Sequence, residues 1–150
     1  IAYSLDPSVP LTNADLLAIT VDMARLFSSM GVDVLKLQFP VDAAQNRDES
    51  TWRAACQQVS EACSVPWVLL SAGVDFDTFA TQTRIACESG ASGVIVGRAI
   101  WNESVTLLGA ARETFLATTG RDRVRQLRDL CSESARAWQS IVRPPTTAHE

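Results

Sequence analysis

The 150 residues contain a single lysine, a single histidine and a single tyrosine. With His149 as the only imidazole, placed in a polar C-terminal tail, neither a Cys/His zinc centre nor a His-based triad can be assembled from this chain. The four cysteines, Cys56, Cys63, Cys87 and Cys131, form no CxxC pair. Three of them fall on helical patterns beside Ala, Val or Ile, so they read as buried thiols in a reducing compartment rather than as disulfides or metal ligands. No stretch approaches the roughly 18 uninterrupted apolar residues that cross a bilayer, and the N-terminus has no charged region leading into an apolar core. A soluble, cytoplasmic protein is expected. Basic charge is also scarce: 13 Lys and Arg face 17 Asp and Glu, for a net charge of −4. Only Arg121, Arg123, Arg125 and Arg128 gather, and they read as one solvated helix face, which argues against nucleic acid as a partner.

What the chain does have is enough apolar residue, 47%, to bury a core. Ile1 to Leu5 reads as a strand end running into a loop at Asp6-Pro7. From Thr12, with Thr12 or Asn13 as cap, apolar residues recur at helical spacing as far as Phe27, and Gly31 stops the pattern. Val32 to Phe39 reads as a strand buried on both faces, ended by Pro40. Glu49 to Cys63 is predicted as a helix and Trp67 to Leu70 as a second buried strand. Phe76 to Ser89 is again helical, with Gly90 as its C-cap, and Gly93 to Val96 is a third buried strand. Two further helices, about Glu103 to Thr118 and Arg121 to Ile141, precede a tail at Pro144-Pro145. Strands and helices alternating across short loops predict a parallel sheet, either part of a (β/α) barrel or a doubly wound sheet. Only about four strands are visible where a barrel needs eight, and the chain starts at Ile1 without methionine inside an apolar run. The reading is therefore that an upstream half is missing from this chain, with residues 1–143 the C-terminal portion of one barrel domain and 144–150 a polar tail.

Lys36 stands out because twelve arginines surround it in a chain with no other lysine. It lies between Leu35 and Leu37, and a lysine drawn partly out of water keeps more of the neutral, nucleophilic amine. The competing reading is a lysine that snorkels or pairs at a strand end. Two small-residue turns follow later strands. Leu69-Leu70-Ser71-Ala72-Gly73 closes one, and Val94-Ile95-Val96-Gly97-Arg98-Ala99 brings a glycine and then a guanidinium into the next loop. At successive strand ends of a parallel barrel, such loops supply backbone N–H groups and a fixed donor fork for phosphate.

The succession Asp33-Val34-Leu35-Lys36-Leu37-Gln38-Phe39-Pro40-Val41, then Pro66 to Val74, then Gly90 to Trp101, resembles the tagatose 1,6-bisphosphate aldolase family. That family includes aldolases of sulfosugar phosphates and belongs to the class I aldolase barrels. The resemblance covers about Asp15 to Trp101 in order. It implies the C-terminal half of a (β/α)8 TIM barrel, strands about five to eight, followed by C-terminal helices. It also implies that Lys36, on the sixth strand, is the Schiff-base lysine. Ser71, Ala72, Gly73, Gly97 and Arg98, at the ends of strands seven and eight, would bind the phosphate. The family's general acid/base is a glutamate on the fifth strand, which would lie upstream of Ile1. Gln38 stands where the family commonly has an acidic residue, making it a candidate substrate contact without the charge. The implied reaction is reversible cleavage of a ketose phosphate or sulfosugar phosphate to dihydroxyacetone phosphate and a three-carbon aldehyde, with no metal and no cofactor. The implied partners are the sugar phosphate, the missing N-terminal half-barrel and further copies of the chain in a homo-oligomer. The rival reading is a phosphate-binding half-barrel with a non-aldolase or regulatory role.

Overall fold

In the computed structural model, residues 8–142 are described. The expected strand at Ile1 to Leu5, the tail at 144–150 and the boundary at residue 143 all lie outside them. The described chain is α/β, and its three strands form a parallel sheet in the order β1, β2, β3. Helix α1, Asn13–Ser28, opens on a reciprocal cap: Thr12 Oγ1 accepts from the Asp15 N–H at 3.2 Å, and the Asp15 carboxylate accepts from the Thr12 N–H at 3.0 Å. Strand β1, Leu35–Leu37, leads through a loop to α2, Glu49–Ala62, which is capped by Asp48. Strand β2, Trp67–Leu70, is followed by α3, Phe76–Glu88, and then by β3, Val94–Ile95.

Register places Lys36 beside Val68 and Leu37 beside Leu69; Leu69 in turn pairs with Val94, and Leu70 with Ile95. Alternation along each strand sends Leu35, Leu37, Trp67 and Leu69 to one face. There they join a core with Val21 and Ala24 of α1, Trp52, Ala55, Cys56 and Val59 of α2, and Phe79, Ile85 and Ala86 of α3. The indole N–H of Trp67 donates to Ser60 Oγ at 2.9 Å, and Ser60 Oγ donates to the Ser89 carbonyl at 2.5 Å, so one hydroxyl ties α2, β2 and the end of α3 together. Gly90 (φ +109°) is required here, because a Cβ would stand 2.9 Å from that same oxygen.

Two expectations need correction. The strands are shorter than the apolar runs, since Val32 to Val34 and Phe39 lie outside β1 and both Gly93 and Val96 outside β3. They are also not buried on both faces: Val34 and Ile95 are each 49% exposed, and Lys36 is exposed.

Beyond β3 the prediction of two helices also changes. A short helix α4, Arg98–Trp101, runs into a 3₁₀ turn at Asn102–Thr106. Helix α5, Gly109–Phe115, continues through a π-helical turn at Leu116–Gly120 into α6, Arg121–Ser134. Gly120 fails to break it because its backbone is helical (φ −59°, ψ −48°). Helix α6 ends at Ser134, not Ile141. Ala135 is extended there, and the Arg136 N–H donates to the Ala91 carbonyl at 2.9 Å, tying the chain to the loop before β3. No helix among the described residues is long and apolar enough to cross a membrane.

Candidate active site

Parallel strands end on one edge, so the segments after β1, β2 and β3 emerge side by side. The loop after β2 turns sharply. Ser71, buried, offers its carbonyl to the Val74 N–H at 3.1 Å, while Ala72 (φ +49°) and Gly73 (φ +88°) both take left-handed backbone. Alanine rarely adopts that conformation, so the turn is held in place by its surroundings. The guanidinium of Arg98, from the loop after β3, lies directly against Gly73: a Cβ there would stand 3.3 Å from Nη2 and 3.4 Å from Cζ. Gly97 precedes Arg98 as the N-cap residue of α4, and its carbonyl accepts from the Ile100 N–H at 2.8 Å. Ser71, Ala72 and Gly73 are thus brought beside Gly97 and Arg98.

Gly73 and Arg98 share a cleft of ≈ 370 Å³ with Val74, Asp75, Phe76, Ala99, Asn102 and Glu103. Its two carboxylates are engaged elsewhere. Asp75 caps α3, accepting from the Thr78 N–H at 2.9 Å and the Thr78 hydroxyl at 2.7 Å, bonds that hold its carboxyl below the usual range. Glu103 is likewise held low, chiefly by hydrogen bonds from Arg123. The Arg98 guanidinium has no ion-pair or hydrogen-bond partner among the described residues and lines the cleft, which leaves its donors available to an anion there.

Arg123 is the residue that local sequence reading missed. It was expected on a solvated arginine face, yet its side chain is only 17% exposed. It forks onto Glu103 at 2.6 and 2.9 Å and donates to the carbonyls of Ile100 at 3.0 Å and Ala99 at 3.3 Å. Its guanidinium also lies over the Phe76 ring at 4.9 Å and the Phe115 ring at 5.6 Å. The short helix that carries Arg98 is therefore pinned from behind by α6. The other three arginines of the run, Arg121, Arg125 and Arg128, do sit on the surface beside Asp122 and Asp129.

Lys36 and Gln38 occupy a different part of the edge. Lys36 points to the sheet face away from the helical core, alongside Val68, and has no ion-pair partner among the described residues. Gln38 is buried and lines a second cleft with Phe39, Val41, Ala72, Val74 and Gln82, so Val74, which lines both, connects the Gln38 region to the Arg98 region. Lys36 belongs to the lining of neither cleft. No group of three His, Cys, Asp or Glu side chains gathers to hold a metal ion among the described residues.

Residues 14–103 match the model of the DeoC/LacD family of aldolases. Among curated relatives, tagatose 1,6-diphosphate aldolase 2 of Enterococcus faecalis is 32% identical, over 74% of this chain and 38% of its own length. The corresponding protein of Streptococcus agalactiae is 32% identical over 81% of this chain and 43% of its own. A tagatose 1,6-diphosphate aldolase of Staphylococcus aureus is 33% identical over 77% and 40%. The chain spans about two fifths of the length of these relatives.

Proposed function

Since the chain belongs to the DeoC/LacD family of aldolases, we propose that it is the C-terminal half of a (β/α)8 barrel that cleaves a ketose phosphate through a Schiff base on Lys36. The observation that carries this reading is the parallel order of three strand ends: an exposed lysine on β1, a left-handed small-residue turn after β2, and an unpaired guanidinium after β3 packed on that turn. The remaining strands come from a segment outside these 150 residues. The open sheet face at Val34, Lys36 and Ile95 and the greater length of the relatives support this.

In this mechanism the unprotonated Lys36 amine adds to the C2 carbonyl, water leaves, and the resulting iminium draws in the electron pair of the breaking C3–C4 bond. A carboxylate from the other half of the barrel takes the C4 hydroxyl proton. The phosphate is held by Arg98, by Ser71 and by the N–H groups around Ala72, Gly73 and Gly97, which fixes C2 relative to the amine. Gln38 contacts the substrate as a neutral amide. The names of the relatives make tagatose 1,6-bisphosphate the first substrate to assay, with a sulfosugar phosphate second.

Substitution separates the two roles. Lys36→Arg keeps a positive charge but cannot form an imine, so aldol cleavage should disappear. Arg98→Ala should raise KM for the phosphorylated substrate while leaving Lys36 reactive toward small ketones. Near-normal cleavage by Lys36→Arg would remove the Schiff-base mechanism and leave a phosphate-binding barrel of other function.

A further inference from the structure

Two of the four cysteines meet in space although 44 residues separate them in sequence: the Sγ atoms of Cys87 on α3 and Cys131 on α6 lie 4.0 Å apart, with both thiols free. We propose that Cys87 and Cys131 are a redox modification site, closing to a reversible intramolecular disulfide when the protein meets a peroxide. A disulfide has an S–S length of about 2.05 Å, so the sulfurs must close by about 2 Å between α3 and α6, which pack against each other.

Access and partner differ between the two sulfurs in the way such chemistry requires. Cys87 is buried, whereas Cys131 is only partly buried and is the one a small oxidant reaches first. Cys87 donates its S–H toward Cys131, a contact that favours the thiolate on Cys131 and lowers its pKa from the usual thiol value to about 7. The other two cysteines lack this arrangement. Burial pushes the Cys56 thiol up to about 12 and the Cys63 thiol up to about 11, and neither makes a sulfur–sulfur hydrogen bond like that between Cys87 and Cys131.

The reaction balances without further reactants. The Cys131 thiolate attacks one peroxide oxygen, the O–O bond breaks, and protonation of the departing oxygen gives water and a sulfenic acid on Cys131. The Cys87 sulfur then displaces hydroxide from that sulfenic sulfur, the S–S bond forms, and the Cys87 proton completes a second water. Two thiols have lost two electrons, and the peroxide has gained them. An external dithiol reverses the reaction by exchange. The bond would staple α3 to α6, the helix whose Arg123 pins the Arg98-bearing segment.

The test uses the full-length protein, treated with equimolar hydrogen peroxide, blocked with iodoacetamide and digested without reductant. The expected result is a linked peptide pair containing Cys87 and Cys131, about 2 Da lighter than the two free peptides and lost after dithiothreitol. In Cys87→Ser, dimedone should instead label Cys131 as a trapped sulfenic acid. Alkylation of both cysteines after peroxide treatment would overturn the proposal. So would a link from Cys131 to Cys63 or to a second molecule, or dimedone labelling confined to another cysteine.

Discussion

The two faces of the three-stranded sheet are built on opposite terms. Toward the helices, Leu35, Leu37, Trp67 and Leu69 are 0–6% exposed and share one core with residues of α1, α2, α3, α4 and α6. On the other side Lys36 and Val68 stand beside each other, Ile95 is half exposed, and Leu70 is buried yet lies outside that core. In β1 a residue one position along therefore moves from a fully packed interior to an open surface. The packed face is what gives the strand ends fixed positions, and the open face is where a chemically useful amine can remain accessible. The single lysine of the chain lies on the second.

Substitutions on the packed face should have the largest effects. Trp67→Ala removes a side chain that is 1% exposed and should cost about 3–5 kcal/mol of unfolding free energy, read by denaturant titration. Ser60→Ala should follow at about 1–3 kcal/mol, because it leaves the buried Trp67 indole N–H without its acceptor. Ile95→Thr sharpens the contrast: Ile95 is 49% exposed in this chain, and a loss near that of Trp67→Ala in the full-length protein would show that the open face is covered there, as the proposed barrel requires, whereas a loss under about 1 kcal/mol would show that it stays open.

A smaller effect should come from the clamp behind Arg98. Arg123→Ala should raise KM for the phosphorylated substrate about tenfold, about 1.4 kcal/mol, with kcat changed little. Arg123→Lys should rescue only part of this, because an ammonium cannot fork onto Glu103 and also reach the Ala99 and Ile100 carbonyls. The pH dependence has a definite sign. Arg123 lowers the folded-state pKa of Glu103, so the clamp's contribution is present above the ordinary carboxylate range and is lost as pH falls through the folded value. In Arg123→Ala that acid limb should move up toward the value of an ordinary glutamate. An unchanged KM and an unchanged acid limb would mean that Arg123 only supports the fold.

Much of this arrangement was readable from local pattern. The order of strands and helices from Asn13 to Ile95 follows from apolar period and, for α1, from the cap Thr12; the caps Asp48 and Asp75 emerge only in the structure. Gly90 marked the end of α3 because the chain needs a left-handed residue there. Lys36 and the turns at Ser71 to Gly73 and Gly97-Arg98 were visible because each breaks an apolar strand. The misreadings share a different cause. Continuous apolarity was taken as burial on both faces, but Val34 and Ile95 show that a β-branched residue can lie on a face that the described chain does not cover. Two separate helices are expected from the pattern on either side of residue 120, whereas the backbone stays helical from Gly109 through Gly120 into α6. Arg123 looks like its neighbours in sequence, and only its 20-residue reach to Glu103 distinguishes it. The Cys87–Cys131 contact likewise has no local signature, since each cysteine sits in an ordinary helical pattern 44 residues from the other.

The central claim is that Lys36 forms the imine, and borohydride trapping tests it most directly. The full-length protein is incubated with tagatose 1,6-bisphosphate and sodium borohydride, and its peptides are then mapped by mass. Reduction turns an iminium into an amine that cannot hydrolyse. The account predicts a stable substrate adduct on the peptide carrying Lys36, absent in Lys36→Arg and absent without borohydride. Active cleavage with no adduct on Lys36, or an adduct on a lysine elsewhere in the full-length protein, would contradict it.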